Sequence, residues 1–137
     1  MRHPAGSCRC GAIRFSASAP PHFSGYCHCD DCRRATGAPV AAFVGFREGE
    51  VTWTGEPAAY GAPPVSRLFC RDCGAPLGYR DARLDDRVYL YTAALDRPQD
   101  HPPQSHSYSG ERLPWLRLAD DLPGHPGTSV PRPKDPS

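Results

Sequence analysis

The sequence predicts a mainly β domain of short strands and many turns, and three observations predict it. Apolar and polar residues alternate over short runs instead of recurring at helical spacing. Seventeen prolines and thirteen glycines interrupt a chain of 137 residues, which disfavours long helices. Seven cysteines fall into three tight clusters, and metal staples of that kind support a modest core at this length.

The elements follow in order. Ala12-Ile13-Arg14-Phe15-Ser16 alternates as a half-buried strand does. Val40 to Phe46 is a more continuous apolar run, and Arg47-Glu48-Gly49-Glu50 supplies turn chemistry. Val51-Thr52-Trp53-Thr54 is β-branched and aromatic, so the two runs read as a hairpin. Ser66-Arg67-Leu68-Phe69 leads into the last cysteine pair, and Leu77-Gly78-Tyr79 leads out of it. Asp85-Asp86 turns the chain into Val88-Tyr89-Leu90-Tyr91-Thr92, the clearest strand of all. Asp96 to Ser105 reads as a surface loop. Pro114-Trp115-Leu116-Arg117-Leu118 carries enough apolar bulk to dock on the body, and Trp53 and Trp115 read as core. Residues 1–122 thus form a single domain, and 123–137 a flexible, proline-rich tail.

The clusters are Cys8-x-Cys10, Cys27-x-Cys29-x-x-Cys32 and Cys70-x-x-Cys73. Thiols two or three positions apart can turn onto one ion, and zinc takes thiolates in tetrahedral sets. A disulfide framework would strand one of seven thiols and needs an oxidising compartment. Met1 to Gly11 has no apolar run of signal-peptide length, and nothing approaches a membrane span, so a reduced, cytoplasmic setting is expected. Divided four and three, the cysteines make one closed structural site and one with an open fourth position, as catalytic zinc sites have. About two zinc ions per chain follow. Cys10 and Cys73 each precede glycine, which lets the backbone turn its amides toward the sulfurs.

Spacing leaves two partitions. Cys8, Cys10, Cys70 and Cys73 share one metal with Cys27, Cys29 and Cys32 on the other, or Cys29, Cys32, Cys70 and Cys73 form a ribbon beside Cys8, Cys10 and Cys27. Three thiols within six residues wrap one ion with little loop-closure cost, which favours the first. The net charge of +1 argues against a nucleic-acid or membrane surface. Fifteen of sixteen basic residues are arginine, with Lys134 the exception, a pattern consistent with coding bias.

Ser7-Cys8-Arg9-Cys10-Gly11, then Cys27-His28-Cys29-Asp30-Asp31-Cys32-Arg33-Arg34-Ala35-Thr36-Gly37-Ala38, then Phe69-Cys70-Arg71-Asp72-Cys73-Gly74, resembles the glutathione-dependent formaldehyde-activating enzyme family, which includes centromere protein V. His106, Pro114-Trp115-Leu116 and Asp120-Asp121-Leu122-Pro123 are similar to its closing segment, although Ser107 stands where the family usually has an apolar residue. The resemblance covers residues 7 to 123. It implies a β-tent fold of antiparallel sheets stapled by zinc, a structural zinc on Cys8, Cys10, Cys70 and Cys73, and a catalytic zinc on Cys27, Cys29 and Cys32. It further implies a carbon–sulfur lyase that joins formaldehyde to glutathione as S-hydroxymethylglutathione, in formaldehyde detoxification.

The implied partners are a small thiol such as glutathione and an aldehyde, with no nucleic acid and no membrane. The oligomeric state is left open, a homodimer included. Arg33 and Arg34 are candidates for substrate carboxylates because guanidinium forks match them, and His106 is a further candidate through the family match. His28 reads as structural, since alternate residues of a knuckle point away from the metal. Two other classes compete with the lyase. A non-catalytic, zinc-stabilised binding module would show salt-dependent association, against which the near-neutral charge argues. A B-type methionine sulfoxide reductase would need a nucleophilic cysteine outside the clusters, and there is none.

Overall fold

The computed structural model describes residues 3–128. Along the chain the strands are β1 (Ala5–Ser7), β2 (Arg14–Ala17), β3 (Phe23–Cys27), β4 (Ala41–Arg47), β5 (Val51–Thr54), β6 (Ala58–Tyr60), β7 (Val65–Phe69), β8 (Pro76–Asp81), β9 (Arg87–Tyr91) and β10 (His106–Ser107). One α-helix, α1 (Asp30–Thr36), follows β3. A three-stranded sheet has the order β1-β2-β5, and a seven-stranded sheet the order β10-β3-β4-β9-β8-β7-β6. Among the described residues, every pairing between the named strands is antiparallel except that of β10 with β3, which is parallel.

The long sheet is buried on both faces at its centre, and this accounts for the continuous apolar run before Arg47. Val44 and Phe46 of β4 and Val88 and Leu90 of β9 face the short sheet, where Phe15, Leu68 and Leu77 join them in the main core. The alternate residues Ala41, Phe43, Tyr89 and Tyr91 point the other way and pack around Cys27 and Cys32. A strand covered on both sides loses the polar–apolar alternation of a half-solvated one. Phe46, Val44, Val88 and Leu90 are fully buried. Burial of each such side chain contributes about 1.5–3 kcal/mol.

The expected hairpin between β4 and β5 does not form. The Arg47–Glu50 stretch winds as a 3-10 turn in which the Glu50 carboxylate accepts the Arg47 amide at 2.9 Å. That turn carries the chain out of the long sheet, and β5 pairs instead with β2, setting Phe15 opposite Trp53 with ring centroids 5.6 Å apart. Trp53 packs against the core, whereas Trp115 is 68 % exposed, so the Pro114–Leu118 segment does not bury its indole.

A second difference is α1. Asp30 and Asp31 in its first turn face the partial positive charge of a helix start, and the left-handed Gly37 closes its end by donating its amide hydrogen bond to the Arg33 carbonyl. Of the proline-rich tail, 129–137 lie outside the described residues. Residues 123–128 run beside the β10 region: His125 donates its amide to the His106 carbonyl at 2.8 Å, and Tyr108 donates to Gly127 at 2.8 Å. No helix among the described residues is long and apolar enough to cross a membrane.

Candidate metal centres

The two knuckles that hold the outer cysteines are built alike. The Cys8 amide donates to the Ile13 carbonyl at 3.0 Å, and the Cys70 amide to the Ala75 carbonyl at 3.0 Å. Each loop turns at the glycine after its second cysteine, Gly11 at φ 82° and Gly74 at φ 76°, a backbone region that other residues enter only with strain. Ile13 then donates its amide to the Cys8 sulfur at 3.3 Å.

Folding brings the two knuckles together although about sixty positions separate them. The sulfurs of Cys8, Cys10, Cys70 and Cys73 all lie within 4.8 Å of one another. Cys8 Sγ is 3.6 Å from Cys10 Sγ, which is 3.8 Å from Cys70 Sγ. Sulfurs bound at about 2.3 Å to one tetrahedral ion stand about 3.8 Å apart, so this donor set is of a size and chemistry that suits zinc. None of the seven cysteines is in a disulfide.

Cys27, Cys29 and Cys32 form the second group, also within 4.8 Å of one another. Cys27 ends β3, Cys29 caps α1, and Cys32 lies in its first turn, donating its amide to the Cys29 sulfur at 3.2 Å. Hydrogen bonds from Cys27 and then Cys32 hold the Cys29 thiol down at about 2. The same contacts, with burial, push Cys27 far above the ordinary thiol range. Three sulfurs this close cannot all be thiolates without a cation among them, which is the chemistry of a metal site. Three donors, not four, make up this group among the described residues.

His28, between two of these sulfurs in sequence, is not among the donors. Its imidazole is fully buried and meets His106, Nε2 to Nδ1, at 2.8 Å. His106 Nε2 lies 3.0 Å from the Asp120 carboxylate. A carboxylate only accepts, so the proton sits on His106 Nε2 and its Nδ1 accepts from His28. Arg112 also reaches that Nδ1, at 3.3 Å. Burial, with Arg112 and the neighbouring His106, lowers His28 to about 4 and keeps it neutral, its Nδ1 without a hydrogen-bond partner. The Ser107 carbonyl accepts the His28 amide at 3.1 Å, and the Arg33 guanidinium donates to the His28 carbonyl at 2.7 Å.

Of the three residues expected to meet substrate, two are thus engaged inside the protein. Arg33 bonds the carbonyls of His28 and Glu111, and His106 is only 2 % exposed. Arg34 points outward and pairs with Asp30 at 3.0 Å.

Arg67 was legible from sequence only as a strand residue, yet it is a neighbour of the three-sulfur group. It is buried, and Nη2 donates to Cys32 Sγ at 3.6 Å and to Asp31, while Nη1 donates to the Tyr91 hydroxyl at 3.1 Å. Its guanidinium lies 5.2 Å from the Tyr79 ring centre. Burial opposes its charge, but Cys32 and Asp31 outweigh that and hold it protonated. An arginine among aromatic strands carries no sequence signature of this kind; its partners Cys32 and Asp31 come from α1 and Tyr91 from β9.

A cleft of about 500 Å³ is walled by Tyr26, Thr36, Ala41, Ala75, Pro76 and Tyr91 among others. A second cavity, of about 30 Å³, touches Cys27 and is lined by aromatic rings including Phe43, Tyr79 and Tyr108.

Comparison with known proteins agrees with this architecture. The chain is 30 % identical over 124 residues to a Halomonas elongata protein named for glutathione-dependent formaldehyde activation, covering 82 % of this chain and 79 % of that one. It is 30 % identical over 73 residues to an uncharacterized lyase of Schizosaccharomyces pombe, 53 % of each chain. A crystal structure of a Rhodobacter sphaeroides protein shares the fold, with a TM-score of 0.53 at 21 % identity over 88 % of this chain and 99 % of that one. The model of the glutathione-dependent formaldehyde-activating enzyme family matches residues 3–111, and the chain belongs to that family.

Proposed function

We propose that this protein is a zinc-dependent carbon–sulfur lyase acting on a thiol–aldehyde adduct, with formaldehyde and glutathione or another small thiol as its substrates. The observation that carries this reading is the three-sulfur group of Cys27, Cys29 and Cys32, separate from a four-sulfur group in the same chain. In this reading Cys8, Cys10, Cys70 and Cys73 hold a structural zinc and Cys27, Cys29 and Cys32 a catalytic one. Zinc at an open site supplies Lewis acidity that makes a coordinated thiol a thiolate near neutral pH.

The chain's own residues then do three things. Cys27, Cys29 and Cys32 offer their sulfurs from a strand end and a helix start, both fixed by backbone bonds, so the open side has one orientation. The cavity at Cys27, about 30 Å³ and aromatic-walled, has room for a molecule of about the size of water or formaldehyde and little else. A larger cleft that shares Tyr26 with this cavity offers space for the larger thiol. Joining thiol to aldehyde needs one carbon–sulfur bond and one proton moved to the aldehyde oxygen; the gain comes chiefly from proximity. Arg34, exposed on α1, is the candidate for a substrate carboxylate, while Arg33 and His106 act by holding the His28 knuckle. A reduced, cytoplasmic setting belongs to the same proposal, since the sulfurs must stay thiols.

Exchange between free glutathione and its hydroxymethyl adduct, followed by NMR with formaldehyde present, tests the reading. Wild-type protein accelerates the exchange and Cys29→Ala gives the uncatalysed rate. A Cys29→Ala protein with full activity would refute the assignment.

A further inference from the structure

Arg67 presents a problem that its salt bridge does not solve. Its side chain is only 8 % exposed, while that of its carboxylate partner Asp31 is 76 % exposed. An ion pair with one end in water is weak, and it cannot by itself hold a guanidinium in the interior. The remaining partners are the neutral Tyr91 hydroxyl, the Tyr79 ring face and the Cys32 sulfur. Of these only the sulfur group is able to carry negative charge at neutral pH. A metal held by Cys27, Cys29 and Cys32 would make thiolates of them, and that buried charge, 3.6 Å away at Cys32 Sγ, is the partner that Arg67 otherwise lacks.

We propose that Arg67 is a positioning residue that fits the three-cysteine centre to an anionic, thiolate-class fourth ligand in preference to a neutral one. The inference rests on the lyase reading above and deepens it. Three thiolates around a divalent ion carry a single net negative charge, which repels any further anion and favours water or imidazole. A fixed cation 3.6 Å from Cys32 Sγ offsets that charge and draws off sulfur electron density through its N–H bond. Asp31 works against it by drawing the same Nη2 nitrogen toward solvent. The two residues thus set the charge balance in opposite directions, and their substitutions should shift ligand choice with opposite signs.

The full-length protein loaded with cobalt(II) tests this without reference to turnover. Cobalt absorption reports ligand exchange, and the probes are 2-mercaptoethanol, which binds as a thiolate, and imidazole, which binds neutral. The readout is the ratio of the two affinities. Arg67→Met should lower the thiol-to-imidazole ratio by about tenfold or more, and Arg67→Lys, which keeps the charge, should recover most of it. Asp31→Asn keeps an acceptor for Nη2 but removes the charge, and should raise the ratio by about two- to threefold.

Asp31 is on the surface, so its variant decides the matter if Arg67→Met does not fold. An unchanged or lowered ratio in Asp31→Asn, or an unchanged ratio in a folded Arg67→Met, overturns the role of Arg67 while leaving the lyase reading intact. Wild-type protein that takes imidazole but no thiol overturns both.

Discussion

His28 Nε2 and His106 Nδ1 stand 2.8 Å apart in the interior, and this bond joins the loop between Cys27 and Cys29 to β10. The Asp120 carboxylate holds the far side of His106. Replacing His106 by phenylalanine keeps the ring that stacks on Tyr26 but leaves the His28 N–H buried and unpaired. We expect a loss of about 1–3 kcal/mol in urea unfolding of the zinc-loaded protein. An unchanged midpoint would mean that the bond does not hold the knuckle.

The two sulfur groups predict unequal consequences for the fold. The four-sulfur group ties the Cys8–Cys10 loop to the Cys70–Cys73 loop, whereas Cys27, Cys29 and Cys32 span a strand end and the helix that follows it. By analogy with a covalent cross-link of that span, losing the first costs about 4 kcal/mol. Cys70→Ala should therefore unfold or aggregate at temperatures where Cys29→Ala shows a normal circular dichroism spectrum.

Gly78 of β8 pairs with Leu90 of β9. A Cβ there would lie 2.1 Å from the Tyr89 carbonyl oxygen, which belongs to the backbone and cannot swing aside. Gly78→Ala should cost about 2 kcal/mol or more, read as a drop in melting temperature.

Phe46 and Trp115 make a contrasting pair. Phe46→Ala removes a fully buried ring between the sheets and should cost about 3–5 kcal/mol in denaturant unfolding. Trp115→Ala, on an indole mostly in water, should stay within about 0.5 kcal/mol of wild type.

These contrasts show where sequence was informative. The strand over Val51–Thr54 has its expected bounds, and the strands before and after Cys70 and Cys73 stand where local patterning puts them, because alternation and β-branching act within a few residues. Pairing does not: whether β5 returns to β4 or crosses to β2 depends on a 3-10 turn held by the Glu50 carboxylate on the Arg47 amide and tied to other segments by the Glu48 amide on the Asp86 carbonyl and the Ser18 amide on the Glu50 carbonyl. Trp115 was misleading because bulk alone does not bury a side chain; a facing surface must exist. The helix over Asp30–Thr36 left a weak trace in Asp30, Asp31 and Gly37, hidden by the cysteines among them. The cysteine groups were visible as spacing, since a knuckle is a local object. Arg67 and the His28–His106–Asp120 chain were not, because their partners come from other strands and loops.

Zinc analysis of wild-type and Cys29→Ala protein, purified in parallel under reducing conditions, tests the central claim most directly. The account predicts about two zinc ions per wild-type chain and about one per folded Cys29→Ala chain, the lost ion being the faster to exchange. Equal zinc content in the two proteins would contradict it, because Cys27, Cys29 and Cys32 would then not form a metal site of their own.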